Sequence, residues 1–286
     1  MTVPGNARSD GSEAAAMWRS TAKKILGPRL SAGLKFRASL AAYSRNYLQQ
    51  KGWHKTVYGV QSVNNQGPIP YITYPALMML ERIMLPTQRA FEYGCGNSSL
   101  WWSQKVSSIV AVEHNELWAS RIRRHAPPNL TVTLKRINDV ADPELSRCAV
   151  EFFRSAPELP TSGNPLHDLE NGMLNKEFIA YAVELARYGK GYFDVVVIDG
   201  MCRSLSAFVA ANFVKDDGII LFDDSQRWQY NAGYDAIAAR GFKRIDFYGT
   251  GPIATHEWCT SIFCRNLTWI GDNGRVPRWQ QNDLGW

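Results

Sequence analysis

From residue 89 onward, short apolar runs alternate with longer stretches in which apolar positions recur every three or four residues. Arg89–Tyr93, Ser108–Glu113 (SIVAVE), Leu130–Arg136, Phe193–Ile198 (FDVVVI) and Gly218–Phe222 (GIILF) are the short runs. Segments of that length, apolar on successive positions, predict strands buried on both faces. The stretches between them predict helices: Asn97 to about Val106, Asn115 to about His125, Leu174–Tyr188, Ser204–Val214 and Tyr230–Ala239. Asn97 and Ser98 suit a helix start. Two β-rich runs, Phe242–Tyr248 and Cys259–Arg265, complete the series. The pattern predicts an α/β fold, a Rossmann-like doubly wound sheet of seven mostly parallel strands with helices on both faces.

The first part of the chain reads differently. Residues 1–15 are rich in Gly, Ser and Ala and predict a disordered leader. Residues 16–69 form a basic helical N-terminal extension, broken at Gly27-Pro28 and turn-rich over 64–68. An apolar helix from Tyr74 to Leu85 is stopped by Pro86. The main domain is expected over 70–270, with the polar, Pro- and Asp-rich stretch 138–172 as an irregular, lid-like insertion and 271–286 as a tail.

Composition narrows the class. With 286 residues, 45% hydrophobic, 12% aromatic and 20% charged, the chain can bury a large core, which excludes chain-wide disorder. No apolar run approaches the roughly 18 residues that span a bilayer, so no transmembrane segment is expected. Lys23 and Lys24 interrupt the Ala-rich start, unlike a secretory signal. The five cysteines form no Cys-x-x-Cys pair and are odd in number, which suits a reducing compartment; the expected location is cytoplasmic. The net charge of +6 is concentrated at the front. Residues 1–60 hold ten Lys and Arg against two acids, and the remainder is close to neutral. A basic leader is either a solvated face or an arm for something anionic, including nucleic acid.

In doubly wound sheets ligands bind outside the carboxyl ends of the strands. Here those ends carry Gly94 and Gly96, Glu113, Asp199, and the Asp223-Asp224 pair. Glu92-Tyr93-Gly94-Cys95-Gly96-Asn97-Ser98 runs from a strand into a helix, so its glycines let the backbone approach a ligand beside free helix N–H groups. The third glycine of the dinucleotide fingerprint is missing, since position 99 is Ser. Glu113 ends the next strand, where a carboxylate can accept both hydroxyls of a ribose. The alternative is a plain turn beside a surface acid.

An acid before Gly-x-Gly and a second acid at the end of the following strand resemble the class I S-adenosylmethionine-dependent methyltransferases over roughly residues 70–265. The resemblance implies that Glu92, Tyr93, Gly94, Gly96, Asn97, Ser98, Glu113, His114 and Asp199 surround that cofactor. The spelling Ile-Asp-Gly at 198–200 and Phe-Asp-Asp at 222–224 is similar to the metal-dependent O-methyltransferases of the macrocin and novobiocin type. That implies Asp199, Asp223 and Asp224 as ligands of a Mg²⁺ ion, hard oxygen donors of the kind that ion takes. Where that family has its general base, this chain has Met201, so His256 or Asp168 enters as a substitute.

Asp199, Asp224, Arg203 and His256 are the candidate catalytic residues, Arg203 either holding an anionic group or orienting the Asp223–Asp224 loop. Tyr71 and Tyr74 are candidates for the pocket wall, and Trp101, Trp102 and Trp118 for helix packing. The resemblance implies O-methylation of a saccharide, glycan or small natural product. An RNA methyltransferase using the basic arm and a catalytically degenerate binding protein are the alternatives. Residues 223–226 read Asp-Asp-Ser-Gln rather than the Asn-Pro-Pro-aromatic motif of amino-methylating enzymes. Oligomeric state is not legible in the chain.

Overall fold

The structure, a computed structural model, describes residues 30, 32–59, 61–156 and 158–268. The expected leader over 1–15 and tail over 271–286 lie outside the described residues. The chain divides into two units, Met1–Gln50 and Lys51–Trp286. What is described of the first is a helix over 32–43 that runs into a π-helical turn, Ser44–Leu48, with Leu34, Phe36, Leu40 and Tyr43 exposed along it.

The second unit opens with α1 (Trp53–Gly59) and a short antiparallel ladder, Val63–Asn64 on Gly67–Pro68. Its body is a seven-stranded sheet of β1 (Arg89–Tyr93), β2 (Ser108–Glu113), β3 (Leu130–Leu134), β4 (Val195–Ile198), β5 (Ile219–Asp223), β6 (Lys243–Gly249) and β7 (Trp258–Cys264). The spatial order is β3-β2-β1-β4-β5-β7-β6. The first five strands are mutually parallel, and β7 runs antiparallel to both of its neighbours. This is the Rossmann-like architecture expected from the apolar runs.

Strand periodicity explains why both faces are covered. Phe91, Val110, Val196, Ile198 and Phe222 point into one core with α5 (Arg147–Ser155), α8 (Arg203–Phe213) and α9 (Asn231–Ala238). Ala90, Ile109, Ala111, Val197 and Leu221, one residue out of phase, point into the other with α2 (Tyr74–Ile83), α3 (Asn97–Ser103) and α4 (Glu116–Arg123). Each large side chain buried in this way contributes about 1.5–3 kcal/mol.

Two expectations are corrected here. The 138–172 stretch is not irregular throughout: it forms α5 and α6 (Pro165–Glu170), and Ala149 and Phe152 of α5 are buried in the core. Asn164 caps α6, its side-chain oxygen accepting the Leu166 N–H. The predicted helix over 174–188 is wound mostly as 3₁₀ turns, Lys176–Phe178 and Val183–Tyr188, around a four-residue α7 (Ile179–Ala182). Ala180–Ala186 is buried along its whole length, Glu184 included, which pairs with Lys135 at 3.1 Å.

Register sets up the site. Tyr93 lies opposite Val112 on one side and Ile198 on the other, and Ile198 lies opposite Phe222. The next residue on each strand, Gly94, Glu113, Asp199 and Asp223, therefore emerges in one row at the carboxyl edge.

Candidate functional site

A cavity of about 730 Å³ opens along this edge. Glu92, Gly94, Cys95 and Ser98 line it from the β1–α3 turn, and Glu113, His114, Asn115, Trp118 and Arg121 from β2 and α4. Asp199, Gly200, Met201 and Arg203 follow β4, Asp224 and Arg227 follow β5, and Glu170–Gly172 ends the insertion. The size falls within the range of small-molecule sites.

The glycine turn is built for close approach. Gly94 has φ +96°, a left-handed conformation that a side chain strains, and a Cβ there would lie 3.0 Å from the Asp199 carbonyl oxygen. Its N–H donates to the Val112 carbonyl oxygen at 2.8 Å, which holds the turn against β2. Gly96 is extended, so no conformational need singles it out.

The two glutamates differ in environment. Glu92 is fully buried; Oε2 accepts the Ser99 hydroxyl, while Oε1 has no hydrogen-bond partner. Burial, reinforced by Glu113 and partly offset by Ser98 and Ser99, pushes its carboxyl up to about 7. Glu113 is also buried, yet it accepts the backbone N–H groups of Cys95, His114 and Asn115 at 3.1, 2.9 and 2.8 Å. Its His114 Nδ1 contact is 3.0 Å. Burial works against the Glu113 charge, but these hydrogen bonds outweigh it and hold the carboxyl below its ordinary value.

Among the other residues implied around a cofactor, Ser98 and His114 line the cavity, and Tyr93, Gly96 and Asn97 do not. Tyr93 is buried in the core with its hydroxyl donating to the Ala182 carbonyl oxygen at 2.7 Å. Asn97 donates to the Ser62 carbonyl oxygen at 2.9 Å, and the α3 cap is Gly96, whose N–H donates to Ser99 Oγ. Trp101 and Trp102 are buried as expected, whereas Trp118 is partly exposed at the cavity, its indole N–H donating to the Cys95 carbonyl oxygen. Sequence reasoning missed Cys95, Asn115, Asn171 and Arg227. Asn115 carries a signal, a helix cap directly after an acid-ended strand, its side chain accepting the Trp118 N–H at 3.0 Å.

The aspartates do not converge on a shared point, which corrects the metal reading. Asp223 Oδ1 is turned to β7, accepting the Trp258 indole N–H at 3.0 Å and the Thr260 hydroxyl at 2.5 Å. Asp199 Oδ1 accepts from Arg203 Nη2 at 3.2 Å. Asp224 Oδ2 is 3.3 Å from Arg203 Nη1 and 3.1 Å from Arg227 Nη2. Among the described residues no three His, Cys, Asp or Glu side chains are disposed to hold a metal ion. The donor set expected for Mg²⁺ therefore does not fit: two carboxylates already face guanidinium groups and the third points elsewhere. Burial and the neighbouring Asp223 still raise the Asp199 carboxyl well above its ordinary value, Arg203 opposing. Burial and Asp224 push Asp223 up to about 6 against Arg203, Thr260 and Trp258.

The substitute bases lie off the cavity. His256 is exposed, its ring 5.9 Å from the Trp258 ring. Asp168 is buried and accepts the Ser162 N–H at 2.8 Å, so it fixes the loop before α6. Tyr71 stacks on Trp258 at 5.4 Å; burial and the charges of Asp223, Asp224 and Asp199 raise its hydroxyl. Tyr74 is buried in α2.

No family model matches the chain, and no curated protein matches it. Among solved structures it is similar to spermidine synthase from Thermotoga maritima, at 11% identity over 66% of this chain and 56% of that one, with a TM-score of 0.38. The alignment thus spans just over half of the synthase. A TehB-like SAM-dependent methyltransferase from Corynebacterium glutamicum aligns at 11% identity over 79% of this chain and all of that one, TM-score 0.39. A methyltransferase-like protein from Silicibacter pomeroyi aligns at 19% identity over 66% of this chain and 86% of that one, TM-score 0.37. No described helix is long and apolar enough to cross a membrane.

Proposed function

We propose that the protein transfers a methyl group from S-adenosylmethionine to a hydroxyl of a saccharide, glycan or small natural product. The observation that carries this reading is the pairing of Glu113 and Glu92 on either side of Gly94 at one cavity. One carboxylate is held ionised by backbone N–H groups, and the other keeps a buried oxygen without a partner. A ligand with a ribose diol and a cationic amino acid suits both. Glu113 would accept from the ribose, Glu92 would face the ammonium group, and Trp118 and His114 would flank the base.

When bound, S-adenosylmethionine supplies a methyl group already activated on a sulfonium. The protein then has to orient the acceptor, exclude water and take up a proton. Asp199 is suited to taking the proton, since it lines the cavity beside Gly94, one oxygen is held by Arg203, and burial raises its proton affinity. Glu170, Asn171 and Arg227 add acceptors and donors at the same opening, the mixture a polyhydroxylated acceptor uses. Arg203 lines the same cavity, and its Nε, Nη1 and Nη2 each donate to a partner within the protein.

Calorimetric titration with S-adenosylmethionine, S-adenosylhomocysteine and NAD tests this reading. Saturable binding of the first two and not the third supports it, and no binding of either sulfur compound sinks it. Screening hydroxylated acceptors with labelled methyl donor then tests the substrate class.

A further inference from the structure

Arg203 is the first residue of α8, placed there by Cys202 in a left-handed conformation at φ +44°. Its side chain is only 11% exposed. Nε donates to the Gly200 carbonyl oxygen at 3.0 Å and Nη1 to the Asp223 carbonyl oxygen at 2.6 Å. Nη2 donates to Asp199 Oδ1 at 3.2 Å, and Nη1 stands 3.3 Å from Asp224 Oδ2. One group thus ties the ends of β4 and β5 together and bridges two carboxylates. The buried Tyr230 ring lies 5.7 Å behind it. Arg227 supplies a second cation to Asp224. Asp199 and Asp224 thus stand against two guanidinium groups, and the third carboxylate, Asp223, is turned to Trp258 and Thr260, so the charge that would draw a divalent ion between Asp199 and Asp224 is already matched.

We propose that Arg203 is a built-in cation that takes the place a divalent ion would occupy between Asp199 and Asp224, making the site independent of metal. It acts as a positioning residue, because its planar fork holds Asp199, which lines the cavity, through one oxygen. A lysine is a point charge and reproduces the charge without the fork. Burial works against the Arg203 charge, but Tyr230 and the three aspartates outweigh it and keep the group protonated at every accessible pH. The orientation of Asp199 toward an acceptor rests on the methyltransferase reading; the exclusion of metal does not.

The test is Mn²⁺ titration of the full chain followed by electron paramagnetic resonance, with thermal denaturation in parallel. The wild type and Arg203→Lys are expected to show no saturable Mn²⁺ site that depends on Asp199. Arg203→Ser is expected to gain one, at least about tenfold tighter than any wild-type binding, and to lose it again in Arg203→Ser/Asp224→Asn. Saturable wild-type binding abolished by Asp199→Asn overturns the proposal. So does an Arg203→Ser protein that keeps its circular dichroism spectrum and gains no site. If Arg203→Ser does not fold, the wild-type and Arg203→Lys arms decide. Metal binding is read without turnover, so this proposal and the methyltransferase reading can fail separately.

Discussion

The carboxylate of Glu113 and the backbone of Cys95 are joined across two strand ends, Oε2 accepting the Cys95 N–H at 3.1 Å. The bond ties β2 to the glycine turn after β1 and leaves Oε2 with room for one more donor. Glu113→Ala removes the acceptor of three backbone N–H groups and is expected to cost about 1–3 kcal/mol. It should also weaken S-adenosylmethionine binding by about tenfold or more. Because the folded-state carboxyl lies below its ordinary value, this stabilisation is full above the ordinary glutamate range and is lost as pH falls through the folded value. Urea denaturation at pH 7 and near pH 3 checks the sign: the gap between wild type and variant closes in acid. Unchanged cofactor affinity in Glu113→Ala removes the ribose assignment.

Gly94 and Gly200 face each other across the β1–β4 pair and differ in how much room each leaves. A Cβ at Gly94 meets the Asp199 carbonyl oxygen at 3.0 Å in a left-handed backbone. A Cβ at Gly200 runs into the Tyr181 hydroxyl and meets the Gly94 nitrogen at 2.8 Å. Gly94→Ala should therefore cost roughly 1–2 kcal/mol from the backbone conformation. Gly200→Ala should cost about 3 kcal/mol from overpacking. Equilibrium denaturation ranks them, and equal losses would show that the close contact at Gly200 relaxes freely.

The sheet was legible because a strand covered on both faces must be apolar along its interior, as Ile109–Val112 of β2, Val195–Ile198 of β4 and Ile219–Phe222 of β5 are. Their ends marked the site for the same reason: Glu113, Asp199 and Asp223 are the first polar residues after each run. The direction of those side chains was not legible. Asp223 is turned away by Thr260, 37 residues later, on a strand whose antiparallel placement no local pattern records. Asp199 and Asp224 read as metal ligands until Arg203 is seen between them and Arg227 against Asp224. Arg227 does lie three residues after Asp224, but a run of irregular backbone carries no periodicity to assign that spacing a partner. In the insertion, α5 was hidden by its polar, Pro-rich flanks, although Ala149 and Phe152 sit three apart, as one buried helix face requires.

If Asp199 takes the acceptor proton, Asp199→Asn should lower kcat by about 10²- to 10⁴-fold, the usual loss of a general base. Asparagine keeps an oxygen for Arg203 Nη2, so the fold and cofactor affinity are expected to hold. Steady-state kinetics with calorimetry of S-adenosylmethionine binding separate the two effects. Retention of full kcat would assign the proton to another group.

Glu92 makes ligand affinity depend on pH. Its carboxyl is pushed up to about 7 by burial, so near neutrality the free protein holds it partly protonated. A cationic ligand facing Oε1 favours the ionised form, and binding therefore releases a proton. Affinity for S-adenosylmethionine is expected to rise by up to about tenfold per pH unit between pH 5.5 and 7 and to flatten above. In the free protein the sign runs the other way for stability: a raised carboxyl contributes below the ordinary glutamate range and its contribution is lost as pH rises through 7. Glu92→Gln should thus raise the Tm of the free protein at pH 8 while weakening and flattening the binding profile. Calorimetry in buffers of different ionisation enthalpy counts the protons directly. A wild-type profile that is flat from pH 5.5 to 8 would place the ligand's cationic group away from Glu92.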